Sequence, residues 1–178
     1  TGELEIRDGG ADDVAAIFRL YAAAFPEEDL RPLIQALLDC PARVVSLVAV
    51  RARALAGHVM LTECELAGHG RRLALLGPLA VAPDAQRQGV GGALVGAGLQ
   101  RLIARGVHRV LVLGDPAYYA RFGFAREEAI RPPYPLPDQW RDAWQSRRIA
   151  GSDSERLAGD LEVPEPWRRA ELWAATQP

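Results

Sequence analysis

Hydrophobic and polar positions along the first third of the chain predict one strand followed by two helices. Residues 3–7 alternate as a short strand does, and the acidic Asp12 or Asp13 opens a helix whose apolar positions recur at helical spacing as far as Phe25. Pro26 ends that helix. A second helix begins near Pro32, because proline is tolerated in a first helical turn, and it ends at Cys40.

Three strand patterns follow in succession, at 44–50, 57–66 and 71–81. The connections between them are short, which predicts an antiparallel meander. The third pattern contains Gly77–Pro78, and proline has no N–H to donate to a sheet ladder. We therefore expect a bulge or an opening of the sheet at that point.

The second half of the chain begins with a helix from Val90 that Gly106 closes in a left-handed conformation. The β-branched run at 107–114 predicts a strand buried on both faces, of the kind that often lies parallel to its neighbour. Asp115 and the proline after it then open a short helix, and a further strand starts at Phe124.

The length of 178 residues and the 49% hydrophobic content predict a single domain with one buried core. Residues 1–130 are expected to form its core, and residues 131–178 a C-terminal extension that completes the sheet with one late strand, GDLEVPEPWRRAELWA. An exposed sheet edge after residue 160 would allow a homodimer, and a covered edge is the alternative.

The net charge of −2 and the pI near 5.9 exclude the electrostatic pattern of a protein whose main partner is nucleic acid or a membrane surface. No apolar run is long enough to span a membrane, and the first residues do not resemble a signal peptide. Cys40 and Cys64 lie far apart without a CxxC or histidine cluster, which predicts neither a metal site nor a disulfide. We expect a cytoplasmic protein.

All 21 basic residues are arginine, so the chain has no lysine. A P-loop requires a phosphate-binding lysine, and Schiff-base catalysis requires a lysine amine. Both classes of mechanism are therefore excluded.

The stretch Gln86–Leu94, QRQGVGGAL, places three glycines between a predicted strand and a predicted helix. The N–H groups and the positive end of the helix dipole favour an anion there, and glycine lets phosphate oxygens approach the backbone. Arg87 can add a charge-assisted bond. A dinucleotide fingerprint does not fit, because the sixth position from Gly89 is Leu94. The alternative is a glycine-rich helix start that only packs tightly.

The segment QRQGVG matches Q/R-x-x-G-x-G/A, the pyrophosphate loop of the GNAT superfamily of acetyl-CoA-dependent N-acetyltransferases. PLAVAPDAQRQGVGGALVGAGL and VLVLGDPAYYARFGF resemble the two best-defined blocks of that superfamily, particularly its bacterial YhbS-like branch. YPLPDQW and LAGDLEVPEPW resemble the end of that branch. The resemblance implies an α/β (α+β) fold with a mixed, mostly antiparallel sheet, splayed fourth and fifth strands, and helices on both faces.

The resemblance also assigns site residues, and acetyl-CoA or CoA is the implied co-substrate. The strand backbone at Leu79, Ala80 and Val81 would bind the pantetheine arm, and the Leu79 N–H would donate to the oxyanion. Tyr119, four residues before Gly123, would contact the cofactor and act as the general acid that protonates the CoA thiolate. The pyrophosphate would be held by Gln86, Arg87, Gln88, Gly89, Val90, Gly91 and Gly92.

Two positions depart from the family pattern. Many relatives carry a glutamate on the fourth strand as the base, but LALLGPLAV contains no acid, so Glu63 on the preceding strand is the candidate carried forward. Where the family often has an asparagine at the end of the fifth strand, this chain has Gly114, Asp115 and Pro116. The other candidates for the base are Glu27, Glu28, Glu65 and His58. Each of these glutamates, like Glu63, is more often a solvated surface acid, and such a histidine is more often structural. Deprotonation of the amine through water would need none of them.

Several further residues have two interpretations. Cys64 would serve as an acyl-carrying nucleophile only beside a base. Arg121 and Arg126 could meet the cofactor phosphates or face solvent. The four tryptophans could line the acceptor site or cap the sheet; they are Trp140, Trp144, Trp167 and Trp173.

The resulting hypothesis is an enzyme that transfers an acetyl group to a primary amine of a small molecule or peptide by direct attack in a ternary complex. The second hypothesis is an acyl-CoA sensor or regulatory module without turnover, which the unassigned base and the absent asparagine motivate. A third is a nucleotide-binding α/β domain, which would prefer a dinucleotide to CoA.

Overall fold

The computed structural model describes residues 2–70, 72–151 and 156–174. Arg71, where the third strand pattern was predicted to start, and the last residues of the predicted extension lie outside these ranges. The strands are β1 (Glu5–Asp8), β2 (Val44–Arg51), β3 (Ala54–Leu66), β4 (Arg72–Val81), β5 (Arg109–Leu113), β6 (Ala125–Arg126), β7 (Ile130–Arg131), β8 (Trp144–Arg148) and β9 (Gly159–Glu162). The helices are α1 (Val14–Ala24), α2 (Arg31–Leu38), α3 (Val90–Ala104) and α4 (Pro116–Ala120), and short 3₁₀ helices occupy Ala11–Asp13, Pro83–Ala85, Asp138–Ala143, Glu165–Trp167 and Ala170–Trp173.

The strands form a mixed, mostly antiparallel sheet flanked by helices, as predicted. The order is β1-β2-β3-β4-β5-β8-β6, with β9 pairing with β3 and β7. The strands β4 and β5 are parallel, with a register from Leu73↔Arg109 to Leu76↔Val112. This register ends at the residue before Gly77–Pro78, where the opening was predicted, and β4 continues to Val81.

The chain divides into two compact units. The first contains the chain up to Leu61 together with Gly77–Arg101, and the second contains Thr62–Leu76 together with the chain from Leu102 onward. Both β3 and β4 therefore contribute residues to each unit. The single domain expected from the chain length stays a prediction.

The core of the first unit is formed by the apolar faces of α1, α2 and α3 and by the central residues of β2 and β3. The helical spacing in the sequence identified these faces. As expected, Pro26 follows the end of α1 and Pro32 lies in the first turn of α2. The largest fully buried side chains of this unit are Ile17, Tyr21, Ile34, Leu37, Leu47, Met60, Leu61 and Leu94.

Two bidentate ion pairs brace the first unit at β1. Asp8 binds Arg101 of α3 through both guanidinium nitrogens, at 2.7 and 2.8 Å. Asp13 accepts from Arg7 at 2.8 and 3.0 Å and from the Gly10 N–H at 2.7 Å. The hydrogen bonds from Arg7, followed by that from Gly10, lower the pKa of Asp13 to about 2.

His58 is a fully buried residue of β3 with a hydrogen-bond partner on each ring nitrogen. Its Nδ1 lies 2.9 Å from the Tyr21 hydroxyl, and its Nε2 lies 2.8 Å from the Ser46 hydroxyl. Burial lowers the pKa of His58 to about 3, so the ring is neutral at physiological pH. The surroundings of His58 are those of a structural histidine rather than of a base poised near neutrality.

The second unit contains a strand that the sequence analysis did not predict. The strand β8 pairs with β5 from Arg109↔Arg148 to Leu113↔Trp144 and also pairs with β6, so it lies inside the sheet. After Trp144 its residues are polar, and two of them bond distant carbonyls: Gln145 donates to the Gly114 carbonyl at 3.1 Å, and Arg147 donates to the Phe122 carbonyl at 2.9 Å. No periodic apolar pattern marks such a strand.

The four tryptophans are buried in the second unit, with exposed fractions of 2% to 9%. Trp144 donates its indole N–H to the Ile130 carbonyl at 2.8 Å, and Trp167 donates to the Thr62 hydroxyl at 3.1 Å. Trp173 contacts both of these rings edge to face. These contacts support the sheet-capping interpretation.

The strand β9 is not an exposed edge. Glu162 pairs with Glu65 of β3, and Gly159 pairs with Ile130 of β7 on the other side. The interpretation that an open strand after residue 160 recruits another subunit is therefore wrong for β9, because both of its sides are occupied.

The buried, neutral state of His58 makes the free energy of unfolding depend on pH. A histidine in the unfolded chain has a pKa of about 6.5, above the folded value, so acidification protonates only the unfolded state. The contribution of His58 is present above pH 6.5 and is lost as the pH falls toward 3, with a slope of up to about 1.4 kcal/mol per pH unit. Urea titrations between pH 7 and 5 should show this slope in the wild type.

His58→Gln is the matched variant, because its amide can bond the same hydroxyls without titrating. Its unfolding free energy should be flatter over the same pH interval, whatever its absolute value. Equal slopes in the two proteins would show that His58 is not the titrating group.

Candidate active site

The glycine-rich loop lies in the first unit, between the end of β4 and the start of α3. The Ala82 N–H donates to the Ala56 carbonyl at 2.8 Å, which ties the end of β4 to the start of β3. The 3₁₀ helix Pro83–Ala85 follows, and the Ala85 N–H donates back to Ala82 at 2.8 Å. Both ends of the loop are thus attached to regular structure.

The backbone of this loop alternates in handedness. Arg87 has φ +62° and Gly89 has φ +82°, and Val90 begins the right-handed helix α3. A left-handed residue followed by a right-handed one turns successive N–H groups toward one concavity, which suits an anion. The Ala93 N–H donates to the Gly89 carbonyl at 3.0 Å, which is the first i→i−4 hydrogen bond of α3. The N–H groups of Val90, Gly91 and Gly92 come before that bond, in the part of a helix start whose N–H groups have no partner within the helix and can bind a ligand.

Gly89 meets the requirements of such an anion site. A β-carbon built on Gly89 would have no neighbour within 4 Å, and residues 86–89 are all exposed. The concavity is therefore open to solvent, and the positive φ of Gly89 disfavours any side chain.

The first turn of α3 packs directly on the strands. A β-carbon on Gly57 would lie 2.8 Å from Leu94 Cδ1, 2.9 Å from Val90 Cγ1 and 3.0 Å from the Ala80 carbonyl. Only glycine at position 57 allows this approach without movement. The helix end, and the loop attached to it, are held at a fixed distance from β3 and β4.

Two glutamine side chains and one arginine hold the loop. Gln86 Nε2 lies 3.5 Å from the Val81 carbonyl, and Gln88 Nε2 donates to the Asp84 carbonyl at 3.0 Å. The side-chain oxygen of Gln88, Oε1, accepts from Arg51 Nη1 at 2.7 Å. Arg51 was not among the sequence candidates, because it lies 37 residues before Gln88 and carries no local signal.

The part of β4 assigned to the pantetheine arm also lies in the first unit. Ala80 is buried, whereas Leu79 and Val81 are half-buried. These residues continue β4 beyond Leu76, the last residue in register with β5.

Tyr119 lies in the second unit, on α4, which Asp115 caps by accepting from the Ala117 N–H at 3.0 Å. Its ring packs edge to face against Tyr118, Phe122 and Phe124, and 9% of the residue is exposed. Burial raises the pKa of Tyr119 above its usual range, so the phenol stays protonated. A neutral phenol is a proton donor.

The comparisons with known proteins agree with this geometry. The family model described as Acetyltransferase (GNAT) family matches residues 14–124, which is more than half of the chain. The chain belongs to the GNAT family of acetyltransferases. The GNAT fold and the predicted acyltransferase class are thereby confirmed.

Relatives of this GNAT protein carry the same assignment. The uncharacterized N-acetyltransferase YjhQ of Escherichia coli K12 is 31% identical over 152 residues, which cover 83% of this chain and 77% of YjhQ. The uncharacterized N-acetyltransferase YhbS of the same strain is 32% identical over 115 residues, 64% of this chain and 67% of YhbS. The predicted resemblance to YhbS is confirmed.

Two solved structures are similar over nearly the whole chain. The crystal structure of YhbS from Escherichia coli in complex with CoA has a TM-score of 0.84 at 28% identity, covering 95% of this chain and 94% of YhbS. A GNAT family acetyltransferase from Brucella melitensis in complex with acetyl-CoA has a TM-score of 0.74 at 26% identity, covering 93% of this chain and 99% of that one.

Gly114, directly after β5, where the resemblance led us to expect an asparagine, packs against Tyr119. A β-carbon on Gly114 would lie 2.5 Å from Tyr119 Cε2 and 3.1 Å from Cδ2. The aromatic ring thus occupies the space that a side chain at position 114 would need.

Glu63 differs from the expectation of a solvated acid, because it is only 5% exposed. Arg105 binds its Oε2 at 3.0 Å, and Arg72 forms an ion pair with its Oε1. These contacts join β3, β4 and the residue after α3 within the second unit. Glu63 is therefore engaged in a network of two ion pairs with arginine.

The other candidates are engaged elsewhere or exposed. Glu65 and Glu27 are exposed, and burial raises the pKa of the half-buried Glu28. Arg121 stacks over the Tyr118 ring at 4.6 Å, and Arg126 forms ion pairs with Glu128 at 3.4 Å and Asp142 at 3.2 Å. Cys64 is buried and donates to the Thr62 carbonyl at 3.4 Å.

Two further findings concern residues 2–70, 72–151 and 156–174. No helix there is both long and apolar enough to cross a membrane. Within the same ranges, no three His, Cys, Asp or Glu residues lie together as a metal site would require.

Adding a methyl group at position 114 should displace the Tyr119 ring. We expect Gly114→Ala to lower the free energy of unfolding by about 1–3 kcal/mol, the usual cost of overpacking, and to lower turnover. Gly96→Ala is the matched control, because Gly96 is exposed on α3 with no atom within 4 Å of its β-carbon position. Denaturant titration of the two variants measures both free energies of unfolding. Wild-type stability of Gly114→Ala would contradict the steric account.

Proposed function

We propose that the protein transfers the acetyl group of acetyl-CoA to a primary amine of a small molecule or a peptide, by direct attack in a ternary complex. The observation that carries the proposal is the backbone concavity at Gln86–Gly92, with its left-handed Arg87 and Gly89 and its position at the start of α3. A pyrophosphate suits this arrangement of N–H groups. The CoA and acetyl-CoA bound to the two similar structures support the same ligand.

Each predicted cofactor-binding residue receives a role in this proposal. The N–H groups of Gly89, Val90, Gly91 and Gly92 face the pyrophosphate, and the exposed Arg87 adds its positive charge. Gln86 and Gln88 hold the loop rather than the ligand, because their amides bond Val81 and Asp84. The backbone of Leu79, Ala80 and Val81 binds the pantetheine arm.

Acetyl-CoA supplies the activated acetyl thioester. The amine nitrogen bonds to the carbonyl carbon, the carbon–sulfur bond breaks, and the products are an amide and the CoA thiol. The Leu79 N–H donates to the carbonyl oxygen as it gains negative charge. Tyr119 gives its proton to the sulfur, and the proton lost by the amine returns through water to Tyr119, so that charge and protons balance.

No side chain is assigned as the base in this proposal. Glu63 is engaged by two arginines, and His58 is buried with a pKa of about 3. Deprotonation of the amine by water needs neither residue, and an amine with a low pKa enters the site already neutral.

The alternative of an acyl-CoA sensor without turnover has specific support. The chain has Gly114 where the family often has asparagine, and Glu63 occupies a structural ion pair. A sensor would bind acetyl-CoA without releasing thiol in the presence of any amine.

Calorimetric titration tests the binding part of the proposal. The wild type should bind acetyl-CoA and CoA, and it should bind NAD weakly or not at all. Gly89→Val should lose about tenfold or more in affinity, because a β-branched residue disfavours φ +82° and the loop must change conformation. Gly96→Ala should bind as the wild type does.

A folded Gly89→Val protein with wild-type affinity for acetyl-CoA would refute the role of the loop. Tighter binding of NAD than of CoA would favour the nucleotide-binding hypothesis instead.

Thiol release across a panel of small and peptide amines tests turnover. Tyr119→Phe keeps the ring contacts and removes the proton donor, so kcat should fall by about a hundredfold or more while the affinity for acetyl-CoA stays constant. Tyr118→Phe is the control, because it makes the same chemical change one residue away. An unchanged kcat in Tyr119→Phe would remove Tyr119 from the role of acid. No release by the wild type with any amine would favour the sensor.

A further inference from the structure

The end of the β2–β3 hairpin reaches the glycine-rich loop through one charged side chain. Arg51, the last residue of β2, donates from Nη1 to Gln88 Oε1 at 2.7 Å. Gln88 in turn donates from Nε2 to the Asp84 carbonyl at 3.0 Å. These two bonds form a continuous chain from the hairpin, through the middle of the loop, to the 3₁₀ helix that precedes the loop, within the first unit.

The hairpin turn is built to present Arg51 in this position. Ala52 and Arg53 have φ +50° and +65°, the values of a two-residue turn that matches the twist of the flanking strands. The start of β3 is joined to the end of β4 by the Ala82 to Ala56 bond at 2.8 Å. The backbone at Arg51 is therefore held in place by β2 on one side and by the turn and β3 on the other.

Gln88 has both ends of its amide engaged by protein groups, and it lies between two left-handed residues, Arg87 and Gly89. An arginine in a left-handed conformation is strained and needs support from its surroundings. Fixing the side chain of Gln88 supplies that support, because it restricts the backbone of the residue between them.

We propose that Arg51 is a positioning residue for the pyrophosphate loop: it acts through Gln88 to hold the N–H groups of Gly89 and its neighbours in the anion-binding conformation. The inference rests on the proposed CoA site. It distinguishes Arg51 from Arg87, whose exposed side chain is free to meet the phosphates directly.

Arg53 provides a matched control for charge. It occupies the second position of the same turn, carries the same charge and is exposed. If positive charge near the loop were sufficient, Arg51→Met and Arg53→Met would weaken CoA binding equally, and the losses would shrink together at high salt.

The experiment is calorimetric titration of CoA and of dephospho-CoA, which lacks the 3′-phosphate, into the wild type and its variants. These are the wild type, Arg51→Met, Gln88→Met, the double variant Arg51→Met/Gln88→Met, and Arg53→Met. Arg51→Lys is added because it keeps the charge and one donor, and thermal unfolding verifies that each protein is folded.

Arg51→Met should weaken both ligands by a similar factor of about tenfold, the usual effect of one charge-assisted hydrogen bond. Gln88→Met should lose a similar factor, and the double variant should bind no more weakly than the weaker single variant. Arg51→Lys should recover part of the loss, and Arg53→Met should bind as the wild type does. In turnover, Arg51→Met should raise the KM for acetyl-CoA and leave kcat unchanged.

Other results would overturn the inference. Wild-type affinity in Arg51→Met would remove any role for Arg51, and a loss seen with CoA but not with dephospho-CoA would make Arg51 a ligand of the 3′-phosphate instead. Additive losses in the double variant would separate Arg51 from Gln88. Failure of the wild type to bind CoA would overturn the proposed function itself. Equal, normal binding by the wild type and by Arg51→Met would overturn only the role of Arg51, so the two failures can be told apart.

Discussion

The close approach of α3 to the strands beneath it is the constraint on which the candidate site depends. Position 57 has no room for a β-carbon, because Leu94, Val90 and the Ala80 carbonyl already occupy that space. A helix held this closely cannot shift its first turn without disturbing the core. The loop before the helix therefore begins and ends at defined points, and its left-handed residues are maintained by the surrounding packing.

Much of the fold follows from local signals. Periodic apolar positions predicted α1, α2, α3 and the strands as far as β5, and proline and glycine marked the helix ends. Such signals exist because each of these elements buries one face or both faces against neighbours. The predicted start of β3 was three residues late, since Ala54 and the two residues after it lack the alternation of the rest of the strand.

Contacts between distant residues were not predictable in this way. The strand β8 lies inside the sheet although its sequence, WQSRR, is polar, because Gln145 and Arg147 bond carbonyls about 25 to 31 residues away. Arg51 and Gln88 are likewise joined across 37 residues. Glu63 was expected at the surface, and its burial depends on two arginines that come from different elements. The loop of the candidate site was found because its chemistry is local, whereas a base, if one exists, would have to be assembled from several segments.

The ion pairs of this protein have a consequence for the pH range in which it can work. Because the chain contains no lysine, Glu63, Asp8 and Asp13 are all paired with guanidinium groups, which remain charged above pH 12. Primary amines become nucleophilic only as they lose a proton, and alkyl amines do so near pH 10. The arginine partners in these ion pairs keep their charge under the alkaline conditions in which primary amines are most reactive. The raised pKa of Tyr119 also favours alkaline conditions, because the phenol retains its proton at a pH where an ordinary tyrosine would begin to lose it.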